Sequence, residues 1–409
     1  MNLRAIPRRL AALFLLLALL PLARAGAQQV FSFVHEAGDQ WHLNVTVEEE
    51  VLVNGERYSQ VEILNRIAAE VLEGEGGAGR LWNRYHIAEK NVETGVYQWS
   101  SEHEVRYDRD ERGRHSGLPA DAAVPAVRDV PFFPETPLSP GDLWSSKGRE
   151  VFDLWPGFGI PALLSIDFTA RYGYVGPDEL DGKDCELIEI AYDFLWRPDP
   201  ADPADALLMD GGYYPFEVQG TFQQRLWWDA RRGRAYAVDG VFAYTYLMSD
   251  GMAYTFRGRS RGTAVYADPL DREALVREIE DIGDEGLRAE ATAEGVKVSL
   301  EDINFHPDRA EMLPGQEEKL RGILEILSRY PERDIQVIGH TARIAGLGDG
   351  RILSEQRAET VARYILESGV REQTQIITRG MGNSRPIGDN ATELGRRRNR
   401  RVEIIILEN

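Results

Sequence analysis

The chain is poor in cysteine: Cys185 is the only one in 409 residues. No intramolecular disulfide can therefore staple the fold, even in an oxidising compartment. Cys185 lies in the apolar run Cys185-Glu-Leu-Ile-Glu-Ile190 and reads as a small core residue. Positive charge is also in deficit, with 47 Lys and Arg against 67 Asp and Glu, a formal charge of −20. Such a surface repels phosphate backbones and anionic lipid surfaces, which excludes nucleic acid as a partner and argues against a general attraction to membranes. Residue patterns that carry catalysis are scarce as well. None of His35, His42, His86, His103, His115, His306 and His340 belongs to a His-x-x-x-His or Glu-flanked ligand pattern. No Gly-x-Gly-x-x-Gly opens a helix after a strand, and Gly346-Leu-Gly-Asp-Gly350 lacks the lysine of a phosphate loop. No catalytic residue, metal site or cofactor is assigned, and the chain reads as non-enzymatic.

The length exceeds that of a typical single domain and favours two. Residues 1–27 have the parts of a secretory signal: Arg4, Arg8 and Arg9, an apolar run from Leu10 to Leu22, then small residues. Cleavage fits after Ala25 or Ala27, and the run is shorter than the ~20 apolar residues that span a bilayer. From residue 28 to 267 the pattern is that of antiparallel strands. Trp41, Leu43, Val45 and Val47 alternate with polar residues, as do Leu164, Ile166, Phe168, Ala170, Tyr172 and Tyr174. Hairpin turns are expected at Asn54-Gly55, Arg231-Arg232-Gly233 and Ser249-Asp250-Gly251. The region is expected to be an all-β antiparallel domain, a soluble sandwich or half-barrel; a transmembrane barrel is the alternative. The stretch between Arg112 and Trp155 is expected to be long and irregular, since its prolines between Val130 and Trp144 bar regular ladder pairing, and 197–206 predicts an exposed loop.

A helix is expected to start at Asp268-Pro269, and 268–295 reads as a helical linker closed by the charged, Gly-containing stretch 283–295. Beyond it, 296–409 predicts a β-α-β-α-β-β layout: a strand at 296–305, a helix from about Pro314 to Pro331, a strand at 334–339, a helix from 349 or 350 to Ser368, then strands at 375–379 and 401–407. The whole is an α+β multidomain chain.

Three blocks of this last segment stand out: Gly339-His340-Thr341, Leu353-Ser-Glu-Gln-Arg357-Ala358, and Asn390-x-Thr392-x-x-Gly395-Arg396-x-x-Asn399-Arg400-Arg401. Together they resemble the OmpA-like peptidoglycan-binding domain over essentially all of 296–409. More weakly, Phe132 to Trp144 resembles a Pro-rich signature that precedes such domains in some spirochaetal envelope proteins. The resemblance implies that an Asp after Gly-His-Thr pairs with the ammonium of diaminopimelate in a stem peptide, while the arginine at the Arg357 position holds its carboxylate. This chain has Ala342 where the family has that Asp, so half of the clamp is missing. The residues expected to line the ligand are His340, Thr341, Ala342, Asp349, Arg357, Asn399 and Arg400. The implied role is non-covalent contact with peptidoglycan, weakened or retuned at Ala342, in the periplasm or on the periplasmic face of the outer membrane, with an envelope protein as the unknown partner of the β domain. The alternatives are a protein–protein module without wall binding and an outer-membrane barrel with a periplasmic anchor.

Overall fold

The structure is a computed structural model that describes residues 28–266, 268–282, 287–301, 303, 305–306, 309–343 and 348–408. The expected signal segment and part of the 283–295 stretch lie outside the described residues. The described residues form a β-rich fold with few helices.

The strands of the first region are β1 (Gln40–Val53), β2 (Glu56–Gly74), β3 (Gly79–Lys90), β4 (Tyr97–Arg109), β5 (His115–Ser116), β6 (Val127–Arg128), β7 (Leu143–Asp153), β8 (Leu163–Leu180), β9 (Lys183–Trp196), β10 (Pro215–Asp229), β11 (Arg234–Met248) and β12 (Ala253–Val265). Neighbours pair antiparallel in the order β5-β4-β3-β2-β1-β12-β11-β10-β9-β8-β7-β6, so the first and last long strands of the region meet as β1 and β12. Alternation decides the faces. On β8, Leu164, Ile166, Phe168, Ala170, Tyr172 and Tyr174 are buried, while Ser165, Asp167, Thr169 and Arg171 between them are exposed. The buried side builds an aromatic core with Tyr192, Trp228 and Tyr246, sealed by Phe31, Phe33 and Phe133. The exposed side carries cross-strand ion pairs, Arg149 with Asp167 at 2.6 Å and Arg171 with Asp193 at 2.7 Å. This polarity is the reverse of a transmembrane barrel, whose outer face is apolar and whose lumen is polar.

Two local expectations change. The irregular segment ends earlier than the stretch to Trp155 suggested, because the prolines stop at Pro140 and β7 is free to pair from Leu143. The excursion after Arg197 holds a short helix, α2 (Pro203–Asp210), following α1 (Trp155–Phe158). Asp202 caps α2 by accepting the Ala204 amide, and Pro203 suits the first helical position.

The second region contains α3 (Arg272–Glu280), β13 (Leu287–Thr292), β14 (Gly295–Glu301), α4 (Glu317–Arg329), β15 (Ile335–Gly339), α5 (Arg351–Glu367), β16 (Ile376–Gly380), α6 (Glu393–Asn399) and β17 (Arg401–Leu407). Its sheet runs β13-β14-β17-β15-β16, with β15 and β16 parallel and the other pairs antiparallel. α3 starts three residues after the expected Pro269, capped by Asp271, which accepts the Ala274 amide. The stretch expected as a linker contributes to this core: Leu275 and Ile279 of α3 are buried with Ile323, Val337, Val361 and Ile404, and β13 pairs with β14.

The two regions are docked. β16 pairs in parallel with β4 through Ile377 and Thr378 against Tyr97 and Gln98, and Leu64, Ala88, Tyr97 and Ile377 form a shared apolar cluster. Beside it, the Asp334 carboxylate is buried 2.8 Å from the Arg66 guanidinium and 3.0 Å from His42, and accepts from Asn44 at 3.2 Å.

Candidate functional site

β15 ends under the first turn of α5, and the fit allows no side chain at residue 339. A Cβ on Gly339 would lie 1.8 Å from the Ser354 carbonyl oxygen. Gly380 and Gly382 are also constrained, though less tightly, with 2.6 Å to the Arg351 oxygen and 2.3 Å to the Asp349 oxygen. Ser354 locks this junction by accepting the Gly382 amide at 2.8 Å and donating to the Arg351 oxygen at 2.7 Å. The glycine of Gly-His-Thr is thus a packing requirement that delivers His340 and Thr341 to fixed positions at the strand end.

From there the predicted residues separate. His340, Arg357 and Arg400 line one cavity together with Ile303, Phe305, Arg397 and Arg401. Arg357 is buried, donates through Nε to the Arg309 oxygen at 3.1 Å, and stacks its guanidinium 4.9 Å from the Phe305 ring centroid. Arg400 donates to Glu393 at 2.8 Å. The remaining four are outside the residues that line this cavity. Among the described residues the buried Thr341 hydroxyl has no partner, and it faces Gly350, where a Cβ would come within 2.4 Å of it. Ala342 is buried in the loop after β15. Asp349 is exposed, and its carboxylate accepts the Arg351 amide at 3.0 Å at the start of α5. Asn399 is buried and fully engaged: its oxygen accepts the Ile387 and Gly388 amides at 2.8 Å, and its nitrogen donates to the Gly388 oxygen and the Asn390 side chain at 2.9 Å. It holds the 387–390 loop in place.

Glu403, Arg397 and Arg401 are not among the residues expected to line the ligand. Glu403 is the buried acid behind the cavity. One carboxylate oxygen accepts from Arg401 Nε at 2.8 Å; the other lies 3.1 Å from His340 Nε2. Burial alone would raise the Glu403 pKa, but the hydrogen bonds and charges of His340 and Arg401 outweigh it and bring it down to about 2. Burial lowers the His340 pKa against the pull of Glu403. The imidazole is therefore neutral at neutral pH, with Nε2–H donating to Glu403 and Nδ1 without a partner among the described residues. Glu403 is spent on internal pairing, so the groups that face the cavity are guanidiniums, an imidazole and apolar side chains. Chemically this suits a carboxylate or other anion with an aliphatic body.

Residues 304–400 match the OmpA family. Outer membrane porin F of Pseudomonas fluorescens is 36% identical over 111 residues, 27% of this chain and 33% of that protein. The probable lipoprotein YiaD of Escherichia coli is 35% identical over 105 residues, 26% of this chain and 48% of that one. The peptidoglycan-binding protein ArfA of Mycobacterium tuberculosis is 38% identical over 104 residues, 25% of this chain and 32% of that one. The chain spans between about a third and a half of the length of these relatives. With the Gly339 junction, the Arg357 block and the Asn399 hub in place, the C-terminal region of this chain carries an OmpA family domain, at residues 304–400.

Proposed function

We propose that this is an exported, non-enzymatic cell-envelope protein whose OmpA-like domain contacts peptidoglycan without a covalent bond. The observation that carries the reading is the cavity in which Arg357 and Arg400 stand beside His340 within the matched segment. The peptidoglycan-binding relative supports the same ligand class. In this reading Arg357 receives a stem-peptide carboxylate, and His340, fixed by Glu403, shapes the cavity wall. Ala342 supplies no counter-charge for an ammonium, while Asp349 sits nearby in sequence as the residual acid of the loop. The β-rich region is read as a half-barrel that positions the domain, and the chain is placed in the periplasm or on the periplasmic face of the outer membrane.

A hydrogen bond to a charged group contributes roughly 1.5–3 kcal/mol, so the missing carboxylate corresponds to about tenfold to a hundredfold in affinity. The test is co-sedimentation of the full chain with purified sacculi and titration with a diaminopimelate muropeptide. Ala342→Asp should gain affinity in that range, and Arg357→Gln should lose binding while circular dichroism shows an intact fold. If neither variant moves the titration, the cavity is not a wall site and the domain acts on a protein partner instead.

A further inference from the structure

The charge around the cavity of the OmpA-like domain limits which stem peptide can enter it. Of the described residues that line it, four are arginines, Arg357, Arg397, Arg400 and Arg401, and none is acidic. Two acids stand outside the lining, and both are engaged. Glu403 is buried against Arg401 at 2.8 Å and His340 at 3.1 Å. Glu393, exposed on α6, pairs with Arg396 at 2.7 Å and with Arg400 at 2.8 Å. Two carboxylates do not balance five guanidiniums, so the described surroundings of a ligand are net positive. Asp349 does not change this: it is exposed, outside the lining, and bonded to the Arg351 amide. Among the described lining side chains the one hydrogen-bond acceptor is the imidazole of His340, which is neutral.

The chemistry of the ligand turns this into a selection rule. In diaminopimelate the side-chain carboxylate and the side-chain amine are bonded to the same carbon, so a carboxylate placed against Arg357 brings its amine with it. As a free ammonium that amine meets like charge from the neighbouring guanidiniums and no carboxylate to offset it, an arrangement that works against binding. Acylated, as it is where two stems are cross-linked, the same nitrogen is a neutral amide with a single N–H, which brings no charge into the cavity. Resting on the reading of this cavity as a wall site, we propose that it selects stem peptides whose side-chain amine is acylated, and so takes cross-linked junctions of the wall in preference to free stems. The absence of an acid at Ala342 agrees with this, because a neutral amide needs no counter-charge.

Three probes differ only at that nitrogen: a monomeric diaminopimelate muropeptide, the same compound acetylated on the side-chain amine, and the same compound dimethylated there. The dimethylated amine matches the acetyl group in bulk but keeps the charge. Titrated calorimetrically against the full chain, the acetylated probe should bind about tenfold more tightly than either charged one. The preference should shrink as salt is raised. Arg397→Glu, at an exposed position of α6, should remove it, with melting curves showing a folded chain. Equal affinities for the three probes, or tighter binding of the free amine, would overturn the proposal and leave wall binding in place. A preference that persists both at high salt and in Arg397→Glu would also overturn it, because shape and not charge would then discriminate. If the folded chain bound none of the probes, the proposal would fall together with the wall reading.

Discussion

Arg66→Met tests whether the two regions are held by charge. Asp334 is buried where β15 meets the first region, and burial alone would raise its pKa; His42 and Arg66 instead hold it well below the usual carboxylate range. Burial keeps His42 below its ordinary value despite Asp334, so at neutral pH Arg66 is the charged partner at 2.8 Å. Removing it leaves a buried carboxylate beside a neutral imidazole and the Asn44 amide, with Arg371 the more distant remaining charge. Breaking a buried pair from one side costs about 3–5 kcal/mol. The variant has an escape, because His42 can take up a proton and replace the lost cation. The loss should thus be full at pH 8 and smaller at pH 6, below the ordinary histidine value of about 6.5. Urea unfolding followed by tryptophan fluorescence at the two pH values reads both effects. Combining Arg66→Met with Asp334→Leu should recover most of the loss, since an apolar replacement of both partners is often close to neutral. A single variant within about 1 kcal/mol of the parent at pH 8, or a double variant no better than the single, would refute the docking argument.

His35 gives a pH prediction of defined sign. It donates Nδ1–H to the Gly77 oxygen at 2.6 Å, and burial, reinforced by Arg109, lowers its pKa to about 4. The unfolded chain protonates first, so the contribution is complete above pH 6.5 and fades as pH falls towards 4, by about 3 kcal/mol. His35→Gln should flatten that part of the stability profile; an unchanged slope would show that His35 does not set it. Gly339→Ala should cost about 1–3 kcal/mol by forcing α5 off β15, whereas Gly348→Ala, with nothing within 4 Å of the added carbon, should stay within about 0.5 kcal/mol. Equal denaturation midpoints for the two would contradict the close packing described for Gly339.

The α/β order of the C-terminal region was legible because helical and strand periodicities differ there and caps lie close to the element ends, as at Gly350 and Gly369. Its site was legible in part. His340, Arg357 and Arg400 belong to contiguous motifs, and the structure brings them to one cavity. Arg401 and Glu403 escaped because their contact with His340 arises only when β17 pairs beside β15, and Arg397 because it comes from α6, just before that strand. The Gly380-Met381-Gly382 pair of glycines was a signal that could have been used, since a Cβ at either would come within 2.6 Å of the backbone at the start of α5. The docking of the two regions could not be read at all: Arg66 and Asp334 are 268 residues apart, and in sequence each looks like an ordinary surface charge. The 268–295 stretch misled for a related reason. Its charges mark the solvent side of α3, while Leu275 and Ile279 at helical spacing mark the side that enters the core.

The pairing of β16 with β4 also bears on how the domain behaves when handled. In the C-terminal sheet β16 is the terminal strand, flanked on its inner side by β15. Its outer rim would offer unsatisfied amide and carbonyl groups beside Ile377 to any passing strand. Tyr97 and Gln98 occupy part of that rim, and the Thr378 hydroxyl donates to the Tyr97 oxygen inside it. The N-terminal region therefore acts as a guard against edge-to-edge self-association. A C-terminal fragment excised without β4 should show concentration-dependent oligomers on gel filtration, and a charge at residue 377, as in Ile377→Lys, should return the fragment to a monomer.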